Sequence, residues 1–162
     1  MLSLIINIQK MITSSAQFSR YLPASPMTEV WGIAVTGGGG QGGRRGQSYP
    51  PAGHPADHGF TWKEGRVLGA MQIVLIRSGK GRFESREAPL REVGAGDVFV
   101  LAPQSWHRYA PDAETGWEEL WIEVDGPVVA RLALEGVAGK GSRVVKCARP
   151  LELERILREV HA

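Results

Sequence analysis

A single cysteine, Cys147, among 162 residues leaves nothing to form an internal disulfide and no thiolate set for a structural zinc, so it reads as a small, semi-buried residue. There is no excess of either charge. The 19 basic and 17 acidic residues are mixed along the chain for a net +2, without the basic stripe that neutralises many phosphates, so nucleic acid is not an expected partner of this segment. No long hydrophobic run is present. In MLSLIINIQK the apolar stretch is far too short for a bilayer, and Lys10 follows it instead of preceding it, unlike a secretory leader. Residues 1–20 read as a loose extension, and the expected setting is cytoplasmic and reducing, away from membranes. A chain of this length with 43% hydrophobic residues supports one domain, able to bury roughly 70% of its unfolded surface.

The usual catalytic patterns are also missing. Gly38, Gly40 and Gly43 spell G-x-G-x-x-G, but Arg44, Arg45, Gly46 and then Tyr-Pro-Pro follow, which cannot open the helix that holds a pyrophosphate. No serine sits in a nucleophile elbow, and Cys147 has no histidine placed beside it. A strand-borne His-x-His is absent. His54 and His58 flank Pro55 in a loop, so a metal set of His54, His58, His107 and Glu119 is sterically allowed but has no motif behind it. Glu118 and Glu119 are strand neighbours and point to opposite faces, leaving Glu118 as a solvated surface charge. No metal, cofactor or enzymatic activity is expected.

What is present is β-texture. TEVWGIAVTG (28–37) predicts a first strand, and the glycine- and proline-rich stretch after it, 38–59, a long loop. AMQIVLIRSGKGRFES predicts a hairpin turning at Ser78–Gly81, and REVGAGDVFVLAP a second pair joined through Gly94, Ala95 and Gly96. With WEELWIEV after Gly116 and no helix in between, the expectation is an antiparallel sandwich or small barrel. Beyond Asp125, Gly126 and Pro127 open a short helix that Gly136 stops. A second helix starts at Pro150, with Leu153, Ile156, Leu157 and Val160 at helical spacing. That stripe must be covered by the barrel, by a partner chain or by further sequence, because a helix of about a dozen residues is marginal alone in water.

The strand WEELWIEV aligns Trp117, Glu119, Trp121 and Glu123 on one face. A plain core would bury the tryptophans but not unpaired carboxylates, so this face is expected to line a polar cavity. Trp62, Arg66, Gln72, Trp106, His107, Tyr109, Glu119 and Trp121 form the mixture that binds sugars: rings cover C–H faces while charged and amide groups take hydroxyls. Tryptophans in a small barrel are more often core than platform, and His107 reads as a ring hydrogen-bonded near the cavity rim.

YLP at 21–23, WGIAVTG at 31–37, YPPAGHP at 49–55, FTWKEGRVL at 60–68, IRSGKGRFES at 76–85, GDVFVLAPQSWHRY at 96–109 and GWEELWIEVDGP at 116–127 together resemble the N-terminal sensor domain of AraC-type transcription regulators, over about residues 21–160. The resemblance implies a mainly β fold: a cupin-type jelly-roll barrel over 21–126 that binds a small effector, often a sugar. One or two short helices follow in 127–162, the start of a segment that dimerises in the full-length regulator. The sequence stops at the first linker helix, so DNA is expected to be contacted only through a missing C-terminal part. By motif position the resemblance assigns ligand contacts to Arg66, Tyr109, Glu119 and Trp121, with Gln72, Trp106 and His107 added from the residue chemistry. Enzymatic relatives carry histidines on the first hairpin, which MQIVLIRSGKGRFES lacks. A small metal-dependent cupin enzyme is therefore the second reading, and a ligand-free dimerisation module the third.

Overall fold

Alternating apolar residues in two long segments, 71–85 and 117–125, produce the strands around which everything else is arranged. The computed structural model describes residues 18–23, 30–43, 46, 49–51, 58–136 and 140–161. Among the described residues eight strands form: β1 (Phe18–Tyr21), β2 (Ala34–Gly43), β3 (Met71–Ser85), β4 (Arg91–Gly94), β5 (Asp97–Leu101), β6 (His107–Pro111), β7 (Trp117–Asp125) and β8 (Arg143–Lys146). Helix α1 (Pro127–Leu134) lies between β7 and β8, and α2 (Pro150–His161) ends the chain. All pairings are antiparallel, in the order β1-β2-β7-β3-β5-β8, with β4 and β6 joining the second half of β3. The mainly β, cupin-type barrel with two short C-terminal helices is thus borne out.

Three local expectations are corrected. The predicted hairpin at Ser78–Gly81 does not turn back: β3 is one fifteen-residue strand. Its first half pairs with β5 and β7, its second with β4 and β6, and the register slips between Ile76 and Ser78. Gly79, at φ +79°, makes this bend feasible, since a Cβ there would stand 2.2 Å from the Gly116 carbonyl oxygen. Glycines that would suit a hairpin turn instead carry one strand from the first sheet into the second. The expected β4–β5 pair is likewise replaced, as each pairs with a different half of β3.

The third correction concerns the glycine run. The expected loop from Gly38 onward is strand up to Gly43, and β2 begins at Ala34 instead of residue 28, with 24–29 outside the described residues. These positions are glycine because β7 lays large side chains across them. A Cβ on Gly39 would meet the Phe18 carbonyl at 2.5 Å and Trp121 Nε1 at 2.8 Å, and one on Gly40 the Leu120 side chain at 2.8 Å. On the far edge of β2, residues 18–20 of the expected loose extension are strand β1.

Two apolar clusters lie on either side of the β3–β7 sheet. Inside the barrel are Val74, Ile76, Phe83, Phe99, Leu101, Tyr109, Trp117 and Trp121. Outside, Leu75, Val98, Leu120 and Ile122 receive Leu157 of α2, with Leu153 packed beside it. Full burial of a leucine of this kind is worth about 1.5–3 kcal/mol. The helical stripe is therefore covered in part by the barrel itself: Leu157 is buried, while Ile156 and Val160 remain exposed. Arg77 clamps this arrangement by pairing with Glu154 of α2 and with Glu118, which lies on the face opposite Glu119. Helix α1 starts at Gly126 and Pro127, and Gly136 at φ +69° follows its end, as the sequence indicates.

Candidate functional site

The period of two along β7 turns Trp117, Glu119, Trp121 and Glu123 into the barrel, and all four are buried. Each carboxylate has its own set of donors. Glu119 Oε1 accepts from Gln41 Nε2 at 2.6 Å, and the Tyr49 hydroxyl stands 3.0 Å from both Glu119 oxygens. Glu123 accepts from Thr36 Oγ1 at 2.9 Å and Gln72 Nε2 at 2.9 Å, and its Oε2 lies 2.7 Å from His58 Nε2.

Arg66 joins the two halves. Its Nη1 donates to the His58 carbonyl at 2.8 Å, and its Nη2 to Gln72 Oε1 at 3.1 Å and to the Tyr109 hydroxyl. Its Nε donates to His107 Nε2 at 3.3 Å. The guanidinium also lies over the Phe60 ring, 4.8 Å from the centroid. The backbones of Arg66 and His107 hold this geometry through a bridge with bonds of 2.9 and 3.0 Å.

Burial and neighbours set the charges. Desolvation pushes Glu119 up to about 7, against the opposing pull of the Gln41 and Tyr49 bonds and of Arg66. Burial also raises Glu123, but its bonds to His58, Gln72 and Thr36 outweigh that and leave it below the usual carboxylate range. Desolvation and the Arg66 charge hold His107 down at about 3, so the ring is neutral. Since Nε2 accepts from Arg66, the proton is on Nδ1 and is donated to the Ser105 carbonyl, 2.9 Å away. Desolvation raises Tyr109 to about 12 and Tyr49 well above its ordinary value. The result is one permanent cation, one firm carboxylate and one carboxylate balanced near neutrality. The Trp117 indole N–H has no hydrogen-bond partner among the described residues, although it lies close enough to Glu119 to favour its ionised form.

Of the residues singled out in the sequence, Arg66, Gln72, Tyr109, Glu119 and Trp121 line one interior space, with His107 directly behind Arg66. Trp106 does not join them: its indole N–H is donated to the Glu64 carbonyl at 2.8 Å, away from the interior. Trp62 lies outside as well, under Arg82 and Arg108. Of the residues considered for a metal, His54 is outside the described residues, His58 is engaged by Glu123, and His107 faces the Arg66 cation. Among the described residues no three His, Cys, Asp or Glu side chains converge as a metal site.

Sequence reasoning left out Gln41, Tyr49, Phe60 and Tyr21 from the lining, and His58 and Glu123 as partners. Glu123 was within reach, because the alternation that selects Glu119 and Trp121 continues to it. Gln41 and Tyr49 carried no signal, being set in and after a glycine run that resembles a loop. The lining leaves an unfilled space of only about 10 Å³, at the threshold for one water. Side chains, Tyr49 and Phe60 among them, fill the rest.

The family model of the AraC-like ligand binding domain matches residues 45–162. The raffinose operon transcriptional regulatory protein RafR of Pediococcus pentosaceus is 29% identical over 77 residues, 48% of this chain and 28% of that protein. The chain thus spans under a third of the length of this curated relative. The protein YhaK from Escherichia coli has the same general fold, with TM-score 0.51 and 10% identity over 82% of this chain and 52% of that one. A cupin 2 conserved barrel domain protein from Salinispora arenicola gives TM-score 0.42 and 20% identity over 75% and 87% of the two chains. None of the helices in the described residues is long and apolar enough to cross a membrane. With the family match running from residue 45 through Tyr49, the barrel and α2 to the last residue of the chain, the chain belongs to the AraC-like ligand-binding domain family.

Proposed function

We propose that this domain senses a small polyhydroxylated molecule, a sugar or sugar-like compound, inside its barrel and forms the effector-binding part of a transcription regulator. The observation that carries this reading is the pair of carboxylates, Glu119 and Glu123, on one interior strand face, each bonded to a glutamine amide, with Arg66 linked through Gln72 and Tyr109. A hydroxyl both donates and accepts, and this lining offers both: carboxylates for the donated hydrogen, amides, phenols and a guanidinium for the lone pairs. Trp121 and the neighbouring rings supply surfaces for C–H faces. The relation to a regulator of a raffinose operon supports a saccharide. In this reading DNA contact and stable dimerisation belong to the full-length regulator, and the site performs no chemistry of its own.

A thermal-shift screen with mono-, di- and trisaccharides, raffinose included, tests the proposal. A ligand at a hundred times its dissociation constant stabilises the fold by about 2.7 kcal/mol. Trp121→Ala should then weaken the best saccharide by about 1–3 kcal/mol in calorimetric titration, through lost contact area. A panel with no stabilising sugar defeats the saccharide assignment, and stoichiometric iron, manganese or zinc in the purified protein would favour a cupin enzyme instead.

A further inference from the structure

The interior presents the lining of a ligand site yet leaves an unfilled space of only about 10 Å³, and Tyr49 is one of the side chains that occupy it. Its hydroxyl stands 3.0 Å from each Glu119 oxygen, and Gln41 Nε2 reaches it from 3.4 Å. Its ring sits in an aromatic box. Trp117 meets it edge-on at 5.7 Å and 87°, Phe60 at 6.2 Å and 83°, and Tyr109 at 5.8 Å and 57°. Glu119 is 2% exposed, whereas Tyr49 is only half-buried and lies in no strand. The hydroxyl thus reaches a deep carboxylate from a residue whose withdrawal breaks no ladder of the sheet.

We propose that Tyr49 is a stand-in for the ligand: its hydroxyl holds the seat of a ligand hydroxyl on Glu119, so the site takes a compound that lays a donor hydroxyl across both carboxylate oxygens and a ring-sized body in the aromatic box, in exchange for Tyr49. This rests on the reading that the barrel interior is the effector site. The tethered tyrosine competes without the loss of translational freedom that a free ligand bears, so only the surplus of the ligand's contacts over those of Tyr49 drives binding. The site therefore rejects molecules that merely fit the apolar box and responds to those that also satisfy Glu119.

Tyr49→Ala vacates the seat, and p-cresol, the tyrosine side chain as a free molecule, is the probe. Toluene has the same shape without the hydroxyl. Measured by ligand-observed NMR and thermal shift, p-cresol should bind the variant roughly tenfold or more tighter than it binds the parent protein, and roughly tenfold or more tighter than toluene binds the variant. Equal affinities for p-cresol and toluene would reduce the seat to an apolar hole and overturn the inference. A folded variant with no gain over the parent would overturn the exchange. Should Tyr49→Ala not fold, Tyr49→Phe keeps the ring and removes only the hydroxyl. The carboxyl ¹³C titration of Glu119 should then move to higher pH, and an unchanged titration overturns the contact. None of these measurements needs a sugar, so an empty saccharide panel counts against the proposed function and leaves them to decide this inference separately.

Discussion

Arg66 donates its Nε–H to Nε2 of His107 across 3.3 Å, and that bond fixes the tautomer of a fully buried histidine whose ring is kept neutral first by its burial and then by the guanidinium charge. A second cation cannot form beside the guanidinium in a desolvated site. His107 should therefore remain neutral, with its proton on Nδ1, from pH 8 down to about 4, as its held-down value of about 3 requires. Its folded value lies below its unfolded one, so its contribution to stability is fully present above pH 6.5 and fades as the pH falls toward 3. Imidazole ¹⁵N shifts check the state directly. Arg66→Gln should raise the midpoint, because the charge is lost while the burial stays; an unchanged midpoint would mean that burial alone sets it.

Glu119 acts with the opposite sign. Its folded value, about 7, lies above the ordinary 4.5, so the stability it lends is complete below pH 4.5 and is lost as the pH rises through 7. Glu119→Gln removes that dependence. The melting temperature of the variant relative to the parent should climb steadily between pH 5 and pH 8, reflecting a difference of about 3 kcal/mol at most. A flat difference across that range would show that Glu119 does not hold its proton as argued.

The glycines of β2 should differ sharply in what they tolerate. Gly39→Ala forces a Cβ against the Phe18 carbonyl and the Trp121 ring, an overpacking worth about 1–3 kcal/mol. Gly42→Ala meets nothing closer than 3.7 Å and should be neutral or stabilising by up to about 1 kcal/mol, since it restricts the unfolded chain. Urea denaturation of the two variants distinguishes them, and equal effects would contradict the packing of Trp121 over β2.

On α2, Leu157→Ala should cost about 2–5 kcal/mol by leaving a cavity among Leu75, Val98, Leu120 and Ile122. Leu151→Ala, at a position 80% exposed, should fall within about 0.5 kcal/mol of the parent. Loss of stability at Leu157 in a monomeric sample places the cover of this stripe within the domain; loss that appears only in an associated form would place it between chains.

The architecture was legible wherever a local pattern has one physical outcome. The alternation in 117–123 could only make a strand with two tryptophans and two carboxylates on one face, and Gly126-Pro127 and Pro150 could only open helices. The motif order added Arg66, Tyr109 and Trp121 to the lining and residue chemistry added Gln72, and all four line the interior. Trp106 went astray because its chemistry suits a sugar platform equally well when its ring faces outward.

Composition and period by themselves determined the class of this chain: a mainly β fold, helices after it, and a strand whose buried carboxylates demand polar company. Tertiary structure alone decided the rest. Ser78–Gly81 and Gly38–Gly43 carry the local chemistry of turns and loops, yet both are strand, because the backbone conformation of a glycine is chosen by the partners it is packed against: the Gly116 carbonyl in one case, Leu120 and Trp121 in the other. Which side chains meet Glu119 was settled the same way, since Gln41, Tyr49 and Arg66 come from segments far from it along the chain and only closure of the barrel brings their donors within hydrogen-bonding distance or electrostatic reach of a carboxylate that has lost its water.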